Sequence, residues 1–369
     1  MAKFGRSLQD LAAEIERRAE AKKDFIAPVS KLSVEVVEDK PVLALTNGTI
    51  QTFGINDIAH GQVAEYAGIP LPYYKRMLAE EPRLLASNVN RWLQDKAKAG
   101  DRRMLRTLDG TGRALLSDRY RALENEDLGE AVLPILLDMN LLILSCEITD
   151  RRLYIKAVDR SIERQLPTGR SMGDGAGHEF FDVLSPAITI SNSEVGGGAL
   201  AIETGTYTRA CTNLAMVGSN LRKYHTGQRA AIADDVYALL TDETKKATDS
   251  AVWMQVRDLV RGAFAEAQFD TLLTKIGAST KDRIAPDQVV EVVERAGRRF
   301  SLNEGERKGV LGALIAGGDL TRYGLHSAIT RYSQEDVVAY DRATEMERLG
   351  GEVIDLSPKD WKLIAAEVA

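Results

Sequence analysis

The spacing of apolar residues changes once along the 369 residues of this chain, and that change limits the folds open to it. Up to about residue 233, short β-rich runs are separated by turn residues. They are Leu32 to Val37, Val42 to Leu45, Met104 to Leu108, Ala114 to Leu116, Leu141 to Ile148, Leu153 to Val158, Ala187 to Ser191 and Leu200 to Thr204. Beyond about Asp234, Val236, Leu239, Leu240, Val252, Val256, Leu259, Val260 and Phe264 recur at steps of three and four, the period of a helix. The pattern predicts an α+β protein with a central, mainly antiparallel β-sheet and packed helices, followed by an all-α C-terminal region. The pair Leu141 to Ile148 and Leu153 to Val158, joined by Thr149-Asp150-Arg151-Arg152, has hairpin spacing and implies antiparallel pairing. The expected division is a helical arm over 1–30, an α+β core over 31–233 and a helical domain over 234–369.

The arm opens with Ser7 in N-cap position and Asp10 three residues on, ahead of Leu8, Leu11, Ile15 and Ala19 on one face. Arg17, Arg18, Lys22 and Lys23 at its far end suit either the helix dipole or a phosphate. From Asn56 to Leu78, two helices are expected around Gly68-Ile69-Pro70-Leu71-Pro72, because the glycine takes a left-handed turn and the prolines stop the first helix. This spacing has a helix-turn-helix flavour, in which Tyr73, Lys75 and Arg76 would face a groove, but an ordinary packed hairpin of helices shows it too. Pro167 to Gly177, rich in Gly, Ser and Pro, reads as a loop.

With 44% hydrophobic and 28% charged residues, the composition is that of a globular protein of about two domains. The net charge of −6 argues against a chain that coats nucleic acid with its whole surface. Cys146 and Cys211, without partners at ligand spacing, read as small buried hydrophobes in a reducing, cytoplasmic setting. The N-terminus lacks a secretory apolar core, and the greasiest stretch, Val132 to Leu144, is too short and too interrupted for a membrane helix. No membrane association is expected.

Two segments concentrate positive charge. Thr204 to Ala233 contains no acidic residue but carries Arg209, Arg222, Lys223 and Arg229, interleaved with Tyr207, Tyr224 and His225. Its other reading is a helix from Thr208 whose Cys211, Leu214, Ala215, Val217 and Leu221 face the core. Arg91 to Arg121 holds nine Lys or Arg against four Asp, with Arg102, Arg103 and Arg106 in one strand and Arg119 and Tyr120 beyond it. Cations neutralise phosphates and aromatic faces stack on exposed bases, so the pair of segments has the composition of a single-strand groove. By contrast, residues 234–369 hold 24 acidic and 18 basic residues, which accounts for the whole net charge.

Neither GxxxxGK[ST] nor HExxH occurs, and His60, His178, His225 and His326 lack ligand spacing. The glycine-rich run at 173–179 lacks the flanking strand and helix of a phosphate cradle. Glu194, in Ser191-Asn192-Ser193-Glu194-Val195-Gly196-Gly197-Gly198, sits in a turn whose glycines allow close approach of other groups. With Asp118 or Glu203 it could form an acid/base or metal site. No cofactor is implied.

Leu116-Ser117-Asp118-Arg119-Tyr120-Arg121, then Ser191 through Leu200, then Cys211-Thr212-Asn213 resemble, in sequence and order, hallmark segments of a phage/plasmid-like protein family. That family is known only as domain of unknown function nine hundred and thirty-two. The likeness extends through Leu320-Thr321-Arg322-Tyr323-Gly324-Leu325 and Tyr340-Asp341-Arg342-Ala343, covering about residues 30 to 355. The resemblance implies residence on mobile elements. A looser, topological likeness links hairpin, third strand, fourth strand and basic helix, spanning Leu141 to Tyr224, to Rad-fifty-two-like single-strand annealing proteins, which form rings around a basic groove.

The leading expectation is therefore a non-catalytic, oligomeric protein that binds or anneals single-stranded DNA. Arg102, Arg103, Arg106, Arg119, Arg209, Arg222, Lys223 and Arg229 would contact phosphates, and Tyr120 and Tyr224 would stack on bases. The alternatives are a protein–protein interaction or regulatory factor acting through the acidic helical half, and a metal-dependent hydrolase or nuclease built on Asp118, Glu194 and Glu203.

Overall fold

In the computed structural model, the structure is described for residues 5–120, 123–171, 179–209, 213–217, 221–223 and 242–365. Two sheets organise the first part. The first contains β1 (Lys23–Pro28), β2 (Leu32–Val37), β3 (Lys40–Asn47), β4 (Thr49–Ile55), β5 (Arg102–Leu108) and β6 (Thr111–Ser117), in the order β1-β5-β6-β4-β3-β2. Its pairings are antiparallel except β4 with β6. A parallel pair needs a long crossover, and here α2 (Asp57–Ala67), α3 (Leu71–Glu80), α4 (Pro82–Lys98) and β5 supply it. The β5–β6 turn is Asp109-Gly110, both at positive φ, as a two-residue hairpin of this kind requires.

The helix layer covers one face of this sheet. Leu43, Leu45, Leu105 and Leu115 pack against Val63, Tyr74, Met77, Leu85, Val89 and Leu93. Gly68, at φ +70, closes α2, and α3 turns Tyr74 and Met77 inward while Tyr73, Lys75 and Arg76 stay exposed. Asn90 of α4 receives a hydrogen bond from the Val34 amide (2.7 Å) and donates one to its carbonyl (2.8 Å), closing the β2 edge.

The second sheet contains β7 (Leu142–Ile148), β8 (Leu153–Val158), β9 (Arg164–Ser171), β10 (Glu179–Asn192), β11 (Leu200–Thr208), β12 (Asn213–Met216) and β13 (Leu221–Lys223). Its order is β12-β11-β10-β8-β7, with β9 on β10 and β13 on β11. The hairpin expected from sequence is β7–β8, paired antiparallel from Leu142↔Val158 to Ile148↔Leu153. One face carries Cys146, Ile155, Ile190 and Ile202. It packs on α1 (Leu8–Ala21, through Leu11 and Ile15), α5 (Asn125–Asp138) and α6 (Asp242–Gly262, through Val252, Val256 and Val260). Ser7 caps α1 by accepting from the Asp10 amide, as its sequence implies.

Two expectations fail in this sheet. Pro167 to Ser171 is strand, paired with β10, rather than loop; residues 172–178 lie outside the described residues. Residues 213–217 are not helical, as β12 pairs with β11 from Gly205↔Met216 to Thr208↔Asn213. The basic helix that would complete the annealing-protein likeness is therefore missing over these residues. The run Leu214, Ala215, Met216 and Val217 is buried throughout, and an apolar run covered on both faces has no strand period to read. Glycine makes the pairing close: a Cβ on Gly205 would stand 1.8 Å from the Ala215 carbonyl oxygen.

The C-terminal region is helical: α7 (Glu266–Ser279), α8 (Val289–Arg299), α9 (Glu304–Gly317), α10 (Arg322–Tyr332), α11 (Tyr340–Asp355) and α12 (Pro358–Ala365). Helices α8 to α12 share a core that includes Val292, Val293, Leu314, Leu325, Ile329 and Met346, while α7 packs Phe269 and Ile276 with Leu166, Leu184 and Tyr323. The expected boundary near residue 234 lies outside the described residues, as do Val236, Leu239 and Leu240. Among the described residues, no helix is long and apolar enough to cross a membrane.

Candidate nucleic-acid interface

The first basic segment divides on folding. Arg102 is exposed, while the Arg103 guanidinium lies 3.7 Å above the Tyr66 ring. Arg106 is fully buried: Nε donates to Asp24 (2.9 Å), Nη1 to the Glu194 carbonyl (2.9 Å) and Nη2 to Glu124 (2.7 Å). Arg113 Nη1 donates to the Glu194 carboxylate (2.8 Å), and Lys22 Nζ to Glu124 (2.9 Å). Lys22, Arg106 and Arg113 thus face Asp24, Glu124 and Glu194 in a charge-balanced cluster where the two sheets meet. Burial alone would raise Glu194, but Arg113 and the Asn125 amide draw it down to about 2. Glu124, partly withdrawn from water beside that charge, is raised.

Arg106 is consequently not a phosphate contact, which corrects the sequence expectation. Strand alternation gave it an open, basic face, but that face of the first sheet is covered by the turn at 193–199 of the second. Glu194, a candidate metal ligand by sequence, is committed to the same cluster. It is not joined by Asp118 and Glu203, since no group of three or more His, Cys, Asp or Glu that could hold a metal occurs among the described residues.

Of the other expected contacts, Arg119 is exposed, and Arg209 is exposed 3.7 Å from Glu163. Arg222 and Lys223 lie in β13, opposite Ala201 and Leu200. Arg121, Cys211, Tyr224, His225 and Arg229 lie outside the described residues. Tyr120 is tied down: its hydroxyl donates to the Ser193 carbonyl (3.1 Å) and accepts from the Gly196 amide (3.2 Å). It holds the glycine turn instead of offering a free stacking face.

Beyond that turn lies a cleft of about 640 Å³, bounded by the β7–β8 hairpin turn, the Gly197-Gly198-Ala199 segment and α11. Thr149 fixes the hairpin turn by accepting from the amides of Arg151 (3.1 Å) and Arg152 (3.0 Å). The two arginines then reach across to the glycine turn. Arg151 Nε donates to the Gly197 carbonyl (3.4 Å), and Arg152 Nη2 to the Ala199 carbonyl (2.7 Å). Glycine is required here. A Cβ at 197 would stand 2.6 Å from Arg151 Cγ, one at 198 would stand 2.7 Å from Arg152 Cζ, and Gly198 holds φ +155.

Neither Arg151 nor Arg152 has a carboxylate partner among the described residues, and Arg152 Nε is buried without a hydrogen-bond partner. The arginines of the opposite wall are spent: Arg342 binds Glu306 and Glu345, and Arg348 binds Glu352. Asp341 of that wall accepts from Tyr154 (2.7 Å) and Thr149 (3.2 Å). The register Lys156↔Thr189↔Glu203 runs a polar row across β8, β10 and β11 on the face turned to α11. There Lys156 Nζ donates to Glu347 (2.7 Å), and Glu203 lines the cleft.

Sequence reading took Arg151 and Arg152 for a mere connection. Their signal was adjacent arginines in a hairpin turn and a triple glycine elsewhere, and no spacing rule links turns about 45 residues apart. Two of the segments that carried the family resemblance, at 191–200 and 340–343, contribute to this cleft, and Tyr120 of a third holds the glycine turn beside it. Comparison with protein-family models, with curated proteins and with solved structures finds no match for this chain.

Proposed function

We propose that the protein is a non-catalytic, single-stranded nucleic-acid-binding protein whose phosphate contacts centre on Arg151 and Arg152. The observation that carries this reading is the pair of guanidinium groups on the cleft without a carboxylate partner among the described residues, one of them with a buried, unpartnered Nε–H. A buried donor without an acceptor costs about 1–3 kcal/mol, so this guanidinium is held at its place on the cleft with a hydrogen-bonding capacity the protein leaves unmet. Guanidinium forks match phosphate oxygens in charge and geometry. The backbone of β13 pairs Arg222 with Ala201 and Lys223 with Leu200 at the start of β11.

The test is fluorescence anisotropy with a mixed-sequence single-stranded oligonucleotide at 50 and 200 mM salt. Wild type is expected to bind with a steep salt dependence. Arg151→Ala/Arg152→Ala is expected to weaken binding about tenfold and to flatten the log–log salt slope by about 1.4, the loss of two phosphate contacts to a single strand. Lys308→Ala/Lys275→Ala, which removes two cations that pair with Glu304 and Asp355 away from the cleft, is the charge-matched control. Absence of binding by wild type at low salt, or equal loss in the control and the double-arginine variant, refutes the reading.

A further inference from the structure

The cleft is not uniformly cationic, and its asymmetry bears on which nucleotides it prefers. Arg151 and Arg152 occupy one end. Away from them, the floor presents Glu203 from β11 and the wall Thr344 from α11, whereas Asp341 stands beside the arginines' own turn, where it accepts from Thr149. Thr344, also a lining residue, is 7% exposed, and its hydroxyl, like Arg152 Nε, is buried without a hydrogen-bond partner.

Resting on the nucleic-acid reading above, we infer that this cleft prefers bases carrying an exocyclic amino group over thymine. The Arg152 anchor is the carbonyl of Ala199, and Glu203 follows four residues along the same chain, about 13 Å at strand rise. A nucleotide whose phosphate sits on the arginines and whose base runs along β11 therefore brings that base toward Glu203. A carboxylate offers about four lone-pair sites and accepts from a ligand alongside partners it already has. The amino group of cytosine donates to such a carboxylate, a pairing that direct base readout uses elsewhere. Thymine turns a carbonyl oxygen to the same place, and two acceptors facing each other in a desolvated cleft repel.

Oligo-dC and oligo-dT of equal length separate the possibilities, because both are weakly stacking pyrimidines that differ at this group. Wild type is expected to bind oligo-dC at least about fivefold tighter than oligo-dT at the same salt. Glu203→Gln, which keeps the side-chain shape but can turn a donor to the thymine carbonyl, is expected to bring the ratio below about twofold. Equal binding of the two oligonucleotides by wild type overturns the base preference and leaves the nucleic-acid reading standing. Binding of neither at low salt overturns both. A dC preference that persists unchanged in folded Glu203→Gln also overturns the assignment to this cleft.

Discussion

The ion pair between Lys156 and Glu347 fastens the helical C-terminal region to the second sheet, and its energetics can be worked from its burial. The side chains are 4% and 3% exposed and 2.7 Å apart, with the Tyr340 ring 4.9 Å from the ammonium and Gln334 Nε2 donating to the other Glu347 oxygen (3.1 Å). Lys156→Met removes one charge and leaves the other out of water with a single neutral donor, at a cost of about 3–5 kcal/mol. Glu347→Leu strands the ammonium for a similar loss. The double variant removes both charges and replaces them with apolar volume, so it should recover at least about 2 kcal/mol relative to the sum of the singles. The exposed pair Lys308–Glu304, each side chain 74% exposed, should give no measurable coupling in the same experiment. Urea unfolding of the four proteins in each cycle, with m-values compared, measures these numbers. A loss below about 1 kcal/mol for Lys156→Met, or strict additivity in the double variant, would refute the reasoning.

His326 is buried, and burial lowers it to about 4 from its ordinary 6.5; a carbonyl only accepts, so Nδ1 carries the proton shared with the Gly350 oxygen (2.8 Å). Below pH 6.5 the unfolded chain takes up a proton that the folded one refuses, so stability falls with pH by up to about 1.4 kcal/mol per unit until about pH 4. His326→Gln, whose amide donates to the same carbonyl, should be less sensitive over that window, measured as urea midpoints at pH 4.5 and 6.5; an unchanged slope counts against it. Glycine-to-alanine changes should have opposite signs at two helical sites. At Gly351 a Cβ would meet the Met216 carbonyl oxygen at 1.5 Å, so α11 must lift from β12 at a cost of about 3 kcal/mol, whereas Gly61 in α2 has open space and should gain about 0.5–1 kcal/mol. Thermal unfolding distinguishes them, and equal effects would dismiss the close-approach argument.

Local physics was legible in the residues. The α1 cap at Ser7, the left-handed Gly68 between α2 and α3, the β7–β8 hairpin and the helical C-terminal region each depend on neighbours within a few positions, and sequence reading places them correctly. Where an apolar run is covered on both faces, as at Leu214 to Val217, alternation disappears and strand cannot be told from helix. Charge was the most misleading signal. A strand pattern shows that Arg106 leaves one face of β5 but not what lies opposite, and Glu124 and Glu194 are supplied by segments 18 and 88 residues away.

The sequence by itself determined which stretches could become strands and helices, because those choices follow from backbone propensity and short-range periodicity. The tertiary structure alone decided which cations are available. It buried Arg106 and Arg113 among carboxylates and left Arg151 and Arg152, two residues of a turn, beside a cleft. A side chain's charge is written in its own residue, whereas its solvation and its partners are set by segments brought together only when the two sheets and α11 pack.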